Sequence, residues 1–249
     1  MSPLRKPALL KLFEDALRKC GLSFLRLSVE GEHPAGYQII KDADSYRARV
    51  YIWNLTPGGK NRPLDEWRIQ PTGLQEIGGE TRFIPEVGGK TIILGWNEIY
   101  GVFAAFDIDK HFEPLGSSPS IQLREPALEA ARLNGIAHHF KGSEEVAFAI
   151  KPSYMGVYLD NMEDLHDCGS SEEALQILQE ICADPESVDD QEIQDHVPEP
   201  RRYAVVSTKK ALRDANFKDR VLTAYSHSCA MCGVQLRLLD AAHILPAAH

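Results

Sequence analysis

The spacing of hydrophobic residues predicts one amphipathic helix followed by a series of short strands. Within residues 7–20, Leu10, Phe13 and Leu17 recur at helical spacing, and Gly21 follows as a helix stop. Beyond it, short apolar runs alternate with clusters of Gly, Pro, Asp and Asn, which is typical of strands joined by turns. The predicted strands span residues 23–29, 37–40, 46–55, 66–69, 91–94, 102–108 and 145–150.

Two further helices are predicted on the C-terminal side of these strands. Residues 124–134 and 153–165 have helical periodicity, and Gly135 follows the first of them. This order of elements indicates an α+β fold over residues 1–168. We expect a curved, mostly antiparallel sheet, or a barrel-like one, with flanking helices.

Charge divides the remainder of the 249-residue chain into two parts. Residues 160–200 contain 14 acidic side chains and no lysine or arginine, whereas residues 201–249 contain 8 basic and 3 acidic ones. We predict that residues 169–200 form a short acidic helix and then a linker, since 184–200 has little to bury. A basic helix is predicted over 209–225. The net charge of −9 therefore conceals a basic C-terminal module suited to a polyanion.

The composition is ordinary for a soluble globular protein, with 43% apolar and 25% charged residues. No apolar run is long enough to cross a bilayer, and the N-terminus has no apolar stretch of signal-peptide type. We therefore expect a cytoplasmic protein without a membrane partner. The five cysteines are scattered except for one close pair, which fits a reducing compartment with one metal knuckle better than a disulfide framework.

The close pair, Cys229 and Cys232, lies between the basic helix and an apolar run. Two thiolates at this spacing can bind one tetrahedral zinc from a tight turn, and Gly233 suits the turn that follows. The pair alone leaves two other interpretations open, a redox couple or two ordinary cysteines. The apolar run Leu238-Leu-Asp-Ala-Ala-His243 ends on a histidine, a residue that in such a place is more often packed in a core than catalytic.

The order of these features resembles the first half of an HNH (ββα-metal) nuclease module. Val-Leu-x-Ala-Tyr in a basic helix, Cys-x-x-Cys-Gly and Leu-Leu-Asp-Ala-Ala-His-Ile-x-Pro follow one another within residues 201–249. The HNH family is common among bacterial restriction endonucleases. The resemblance therefore implies hydrolysis of phosphodiester bonds in double-stranded DNA by a restriction-type endonuclease of bacterial defence.

The resemblance also implies roles for individual residues. His243 is expected to be the general base that deprotonates the attacking water. Cys229 and Cys232 are expected to bind structural Zn²⁺, and Mg²⁺ or another divalent cation stabilises the phosphate during the reaction. Seven basic residues are expected to contact DNA phosphates: Arg201, Arg202, Lys209, Lys210, Arg213, Lys218 and Arg220. The alternative for each of them is a solvated helix face.

The chain departs from the family pattern in two ways. Ala242 stands where other branches carry Asp or His, and the central Asn, the final His and the second pair of zinc ligands are expected beyond residue 249. We therefore expect an incomplete, inactive form of a longer enzyme. Two alternatives are a non-catalytic DNA-binding or regulatory protein with a vestigial zinc knuckle, and a ligand- or protein-binding domain with an incidental tail. Dimerisation stays open.

The N-terminal domain is predicted to recognise the DNA target, with modified bases as one option. Residues 47–69 resemble a segment that precedes HNH modules in bacterial proteins, and modified-cytosine-binding β-barrels offer an analogy of fold. Aromatic and basic residues interleave within this segment. The candidate DNA contacts are Arg47, Arg49, Lys60, Arg62, Trp53 and Trp67. The alternative is that the aromatics are core residues and the arginines pair with nearby acids.

Overall fold

The structure is a computed structural model that describes residues 3–226, 228–229 and 231–232. Within these residues, the helices are α1 (Lys6–Lys19), α2 (Glu125–Asn134), α3 (Met155–Asp167), α4 (Glu172–Ala183), α5 (Asp190–His196) and α6 (Glu199–Ala224). The strands are β1 (Ser23–Arg26), β2 (Ala35–Lys41), β3 (Asp44–Asn54), β4 (Thr56–Pro57), β5 (Glu66–Ile69), β6 (Glu76–Ile77), β7 (Glu80–Thr81), β8 (Lys90–Asn97), β9 (Val102–Phe106), β10 (Ile121–Arg124), β11 (Ile136–Gly142) and β12 (Glu145–Ile150).

Seven of these strands form one sheet in the order β1-β2-β3-β8-β9-β12-β11. Neighbouring strands are antiparallel except β3 and β8, which are parallel. The chain therefore leaves the sheet after β3 and returns to it at β8 in the same direction. This confirms the predicted α+β fold with a mostly antiparallel sheet and flanking helices.

The seven-stranded sheet is covered on both faces. In β3, Val50 and Ile52 belong to one buried cluster and Tyr51 and Trp53 to another, because successive side chains point to opposite faces of a strand. The first, or main, cluster also contains the buried side chains of α1, α3, α4, α5 and α6. The second cluster is closed by α2 and by a separate three-stranded sheet in the order β10-β5-β4.

The prediction of a linker over residues 184–200 is wrong. α5 forms within this segment and begins with a capping box. The Asp189 carboxylate accepts from the N–H of Glu192, and the Glu192 carboxylate accepts from the N–H of Asp189, both at 2.8 Å. Three aliphatic side chains of the segment are buried in the main cluster: Val188, Ile193 and Val197. The segment is acidic on its exposed side, but its apolar side packs against α4 and α6.

The basic helix predicted over 209–225 is the second half of a longer helix. α6 begins at Glu199, with Pro200 in its first turn, where the missing N–H of proline costs no hydrogen bond. The boundary predicted between residues 200 and 201 therefore lies inside a continuous helix. α6 packs on α3, and its buried positions are Ala204, Val205, Thr208 and Leu212.

No helix in the described part of the chain is both long enough and apolar enough to cross a membrane.

The burial of α5 predicts a large effect of a substitution that would be neutral in a linker. Truncating Ile193 to alanine removes a fully covered side chain and should lower the free energy of unfolding by about 2–5 kcal/mol. Gln194→Ala, on the exposed side of the same helix, should change it by less than about 0.5 kcal/mol. Denaturant unfolding followed by circular dichroism measures both. Equal stability of the two variants would contradict the packing of α5.

Candidate nucleic-acid interface

The sheet β10-β5-β4 has one apolar face and one polar face. Trp67 and Ile69 of β5 point into the second cluster, so Arg68 between them points the other way. Strand register places Thr56 of β4 and Gln122 of β10 on either side of Arg68. We call the surface formed by Thr56, Arg68, Gln122 and Arg124 the outer sheet face.

Arg68 is the cation of this face that lacks a compensating charge. Within the described residues, no carboxylate lies within ion-pair distance of its guanidinium, and its Nε is buried without a hydrogen-bond partner. Nearly all buried polar groups in proteins are bonded, so an exception calls for an explanation. A guanidinium has the geometry to bind the oxygens of a phosphate in a bidentate manner. The site therefore suits an anion.

Two further arginines border Arg68 and are partly neutralised. Arg62 Nη1 lies 2.8 Å from Glu66 Oε1, and Arg124 Nη1 lies 2.6 Å from Asp65 Oδ1. Both side chains remain more than a third exposed, at 37% for Arg62 and 36% for Arg124. Because each salt bridge uses only part of the guanidinium fork, other N–H groups remain for a second acceptor.

The edge of the outer sheet face carries a hydrogen-bonded aromatic cluster. Glu125 Oε1 accepts from Trp67 Nε1 at 3.3 Å and from the Tyr100 hydroxyl at 2.5 Å. The bond to Glu125 raises the pKa of Tyr100 to about 12, so the phenol keeps its proton at neutral pH. Lys60, which was predicted from the sequence, is exposed in the loop before β5. This region thus carries four named cations, Lys60, Arg62, Arg68 and Arg124, and three named carboxylates, Asp65, Glu66 and Glu125.

Arg47 and Arg49, also predicted as DNA contacts, share a different carboxylate. Arg49 Nη2 lies 3.0 Å from Glu86 Oε2, and Arg47 Nε lies 3.8 Å from Glu86 Oε1. Arg47 is 63% exposed and Arg49 only 30%. The structure therefore brings these two arginines together on β3, with Arg47 the more available to a ligand.

Trp53 and Trp67 are core residues in this structure. They expose only 5% and 8% of their surface, and both belong to the second cluster. Trp53 Nε1 donates to the carbonyl of Thr72 at 3.3 Å, and its ring stacks with Tyr51 at 6.1 Å between centroids. Neither ring lies open on the surface, and a contact of Trp53 or Trp67 with DNA stays a prediction. The aromatic residues alternate along strands because they fill the core.

The predicted cations of α6 divide into two groups. Arg201 Nε lies 2.6 Å from Asp167 Oδ2, Arg202 Nε donates to the Val197 carbonyl at 2.7 Å, and Lys209 Nζ lies 2.6 Å from Asp190 Oδ1. These contacts hold the helix against the acidic segment. The exposed group consists of Lys210, Arg213, Lys218 and Arg220.

Three of the exposed cations lie on one side of the helix. At about 100° per residue, Lys210, Arg213 and Arg220 fall within an arc of about 80°. They span about 15 Å along the axis, at a rise of about 1.5 Å per residue. Arg213 Nε approaches Asp214 only to 4.0 Å. The described part of α6 therefore has a basic stripe on its second half.

Cys229 and Cys232 lie close together after α6. Hydrogen bonds from the backbone of Cys232 and of Met231, and one from the Cys232 side chain, lower the pKa of the Cys229 thiol. A lowered pKa favours the thiolate, which is the form that binds metal. The pair therefore fits half of a zinc site. No group of three or more metal-binding side chains forms within the described ranges, and His243 lies outside them.

Comparison with known proteins gives one match. Residues 46–159, from β3 into α3, match the family described as methylase-associated X1, MTaX1. The match covers 114 of the 249 residues, less than half of the chain, and includes the outer sheet face; the family's description associates the family with a methylase. No curated protein and no solved structure matches the chain significantly.

Neither Arg68 nor Arg124 was among the DNA contacts expected from the sequence, although Arg68 is one of the basic residues that interleave with the aromatics of residues 47–69. In Glu66-Trp-Arg-Ile, the alternation of large apolar and charged residues places Arg68 opposite Trp67, and this signal was present in the sequence. Arg124 was assigned to the start of a helix, whereas it is the last residue of β10. The strand that it ends is four residues long and carries little periodicity.

The thiol geometry predicts which cysteines respond to zinc. Burial raises the pKa of the Cys168 and Cys182 thiols to about 12, so a thiol reagent at neutral pH should modify Cys229 and Cys232 first. Zn²⁺ at one equivalent should protect these two thiols. Cys229→Ser should abolish the protection, and Cys20→Ser, outside the turn, should preserve it. Unchanged reaction rates with zinc would contradict the half-site.

Proposed function

We propose that the protein recognises double-stranded DNA through its N-terminal domain and belongs to a restriction nuclease whose C-terminal module is of HNH type. Two independent features support this. Residues 46–159 match a methylase-associated family, and residues 201–249 resemble the first half of an HNH module. A domain that reads DNA and a module that cuts it are the two parts that a restriction enzyme requires.

The observation that carries DNA recognition is the uncompensated guanidinium of Arg68 on the outer sheet face. It lies between Thr56 and Gln122, whose polar side chains extend the same row. Phosphate is the anion that a DNA-binding domain meets most often, and arginine is well suited to hold it. We propose that Arg68 binds a backbone phosphate and that Arg62 and Arg124 add contacts on either side.

The basic stripe of α6 supplies a second region of contact. Lys210, Arg213 and Arg220 present charge without base-specific geometry, so their role is to hold the backbone near the C-terminal module. Arg201, Arg202 and Lys209 are engaged in the contacts that fix α6, and they are assigned a structural part in this proposal.

The proposed cleavage step follows from the HNH resemblance. His243, as a neutral imidazole, takes a proton from water; the resulting hydroxide attacks phosphorus and the bond to the 3′ oxygen breaks. A divalent cation such as Mg²⁺ would stabilise the negative charge on the phosphate and on the leaving oxygen. Cys229 and Cys232 would hold Zn²⁺ as part of the scaffold around this histidine.

DNA binding by the outer sheet face is tested with the full chain and a labelled duplex in fluorescence anisotropy. Arg68→Gln should weaken binding to all duplexes and reduce the slope of log affinity against log salt by about 1, as expected for the loss of one phosphate contact. Arg18→Gln, on α1 and paired with Asp15 away from this face, should leave the slope unchanged. An Arg68→Gln variant with wild-type affinity and slope would exclude the proposed contact.

The same assay, run with unmodified, methylated and hydroxymethylated duplexes, tests whether the domain reads modified bases. A preference for one of them that survives Arg68→Gln would separate base reading from phosphate binding, because phosphate contacts carry no sequence information.

The nuclease proposal is tested with the complete gene product on supercoiled plasmid in Mg²⁺. His243→Ala should reduce cleavage by about 10²–10⁴-fold, the usual contribution of a general base, while duplex affinity stays unchanged. Cleavage that persists at the wild-type rate would assign the reaction to another residue. DNA binding without cleavage by the wild-type protein would favour the non-catalytic alternative.

A further inference from the structure

A pocket opens at the carboxyl ends of the two parallel strands. β3 ends at Asn54 and β8 ends at Asn97, and both residues line a cavity of about 260 Å³ together with Trp67 and Trp96. In sheets with parallel strands, ligands commonly bind beyond the carboxyl ends of those strands. The position alone makes this cavity a candidate binding site, although the sheet has only one parallel pair.

The walls of the pocket come from both hydrophobic clusters. Trp96 belongs to the main cluster and packs against Phe103 at 4.7 Å between ring centroids. Trp67 belongs to the second cluster and is held by the bond from its Nε1 to Glu125. Because other contacts fix each ring, the walls are preorganised for a flat apolar ligand.

Asn97 gives the pocket a polar determinant. Its Oδ1 accepts from the N–H groups of Ile99 and Tyr100 at 3.0 and 3.1 Å, which fixes the orientation of the amide. The Nδ2 group must therefore point away from this turn. It is buried and has no hydrogen-bond partner, although the residue is fully covered. An unsatisfied buried donor is costly, and a ligand that presents an acceptor would satisfy it.

The rim of the pocket contains a hydrogen-bonded part and a solvent-exposed part. The amide of Asn54 donates to the carbonyl of Leu4 and accepts from the N–H of Leu4, each at 2.9 Å, and this holds Pro3 at the rim. Ile99 lies on the lining and is 61% exposed. Because Asn97 Nδ2 is covered, a ligand reaches it only if neighbouring side chains shift.

The pocket adjoins the outer sheet face. Thr56 lines the pocket and also pairs with Arg68 in the sheet β10-β5-β4. Arg68 itself points to the other face of that sheet and does not line the pocket, so the pocket is considered for a base alone. A nucleobase is flat, largely apolar on its faces and carries hydrogen-bond acceptors on its edge.

We infer that this pocket binds a nucleobase, with its ring against Trp67 and Trp96 and a carbonyl oxygen or ring nitrogen accepting from Asn97 Nδ2. The inference extends the proposed DNA recognition, because a base that enters the pocket must leave the duplex stack. The same chemistry would hold a free nucleotide, so the source of the base is decided by experiment.

The decisive variant is Asn97→Asp. It keeps an oxygen for the N–H groups of Ile99 and Tyr100 and removes the donor from the position of Nδ2. Calorimetric titration of the full chain with nucleoside monophosphates carrying unmodified and methylated bases should show binding that Asn97→Asp weakens about tenfold or more, the loss expected for one hydrogen bond to a buried group. Asn134→Asp, the same chemical change at the end of α2, should bind as the wild type does.

A second measurement needs no substitution, which covers the case in which Asn97→Asp does not fold. The side-chain amide protons of Asn97, assigned in the wild-type protein by nuclear magnetic resonance, should shift on addition of the nucleotide. Side-chain amides outside the pocket, such as that of Asn134, should not. An unchanged Asn97 amide at saturating nucleotide, or equal affinity of wild type and a folded Asn97→Asp, would overturn the inference.

A duplex with 2-aminopurine distinguishes the two sources of the base. Entry of the base from DNA should raise 2-aminopurine emission on binding to the wild-type protein and not to Asn97→Asp, while anisotropy shows both bound. Binding without increased emission, together with nucleotide binding, would identify a free-nucleotide pocket. If the protein binds DNA but shows neither increased 2-aminopurine emission nor nucleotide binding, the nucleobase pocket is overturned and the proposed DNA recognition stands. If it binds nucleotides in an Asn97-dependent manner but does not bind DNA, the pocket stands and the proposed DNA recognition is overturned.

Discussion

The burial of the seven-stranded sheet on both faces is the constraint on which the rest of the structure depends. The central strands β3 and β8 carry large side chains on each side, so neither face tolerates water. One face is covered by helices that include α1, α3 and α4, and α5 packs on this helical layer through α4 and α6. The other face requires α2 and the sheet β10-β5-β4. The small sheet packs its apolar side against the core, so its polar side, the outer sheet face, is exposed to solvent.

Electrostatics follows from the same arrangement. Acidic residues that precede α6 neutralise cations in its first half, as Asp167 at the end of α3 does for Arg201 and Asp190 of α5 does for Lys209. Beyond these contacts the helix has cations with few acidic neighbours. Positive charge that could meet a polyanion therefore lies on the basic stripe of α6 and on the outer sheet face, although the chain as a whole is acidic.

The sequence predicts the elements whose periodicity extends over several residues and fails where the signal is sparse. β5 and β12 have the predicted bounds, since alternation or a continuous apolar run marks them. α5 was missed because charged residues separate Val188, Ile193 and Val197, so the average hydrophobicity of the whole segment 184–200 is low. The candidate site was found only in part. The charges of Lys60, Arg62 and Arg68 are evident in the sequence, but the lack of a partner for Arg68 Nε and Asn97 Nδ2 among the described residues depends on the fold, which no local pattern encodes.

The unbroken course of α6 has a mechanical consequence. Its first half is clamped in the core by Val205 and Leu212, and the helix continues to Ala224 just before the cysteine pair. Twenty-six residues make a rod of about 39 Å. Such a rod transmits orientation instead of letting its two ends tumble independently. Under the proposed function, this helix would fix the distance along the DNA between the bases that the N-terminal domain contacts and the phosphodiester bond that the C-terminal module cleaves.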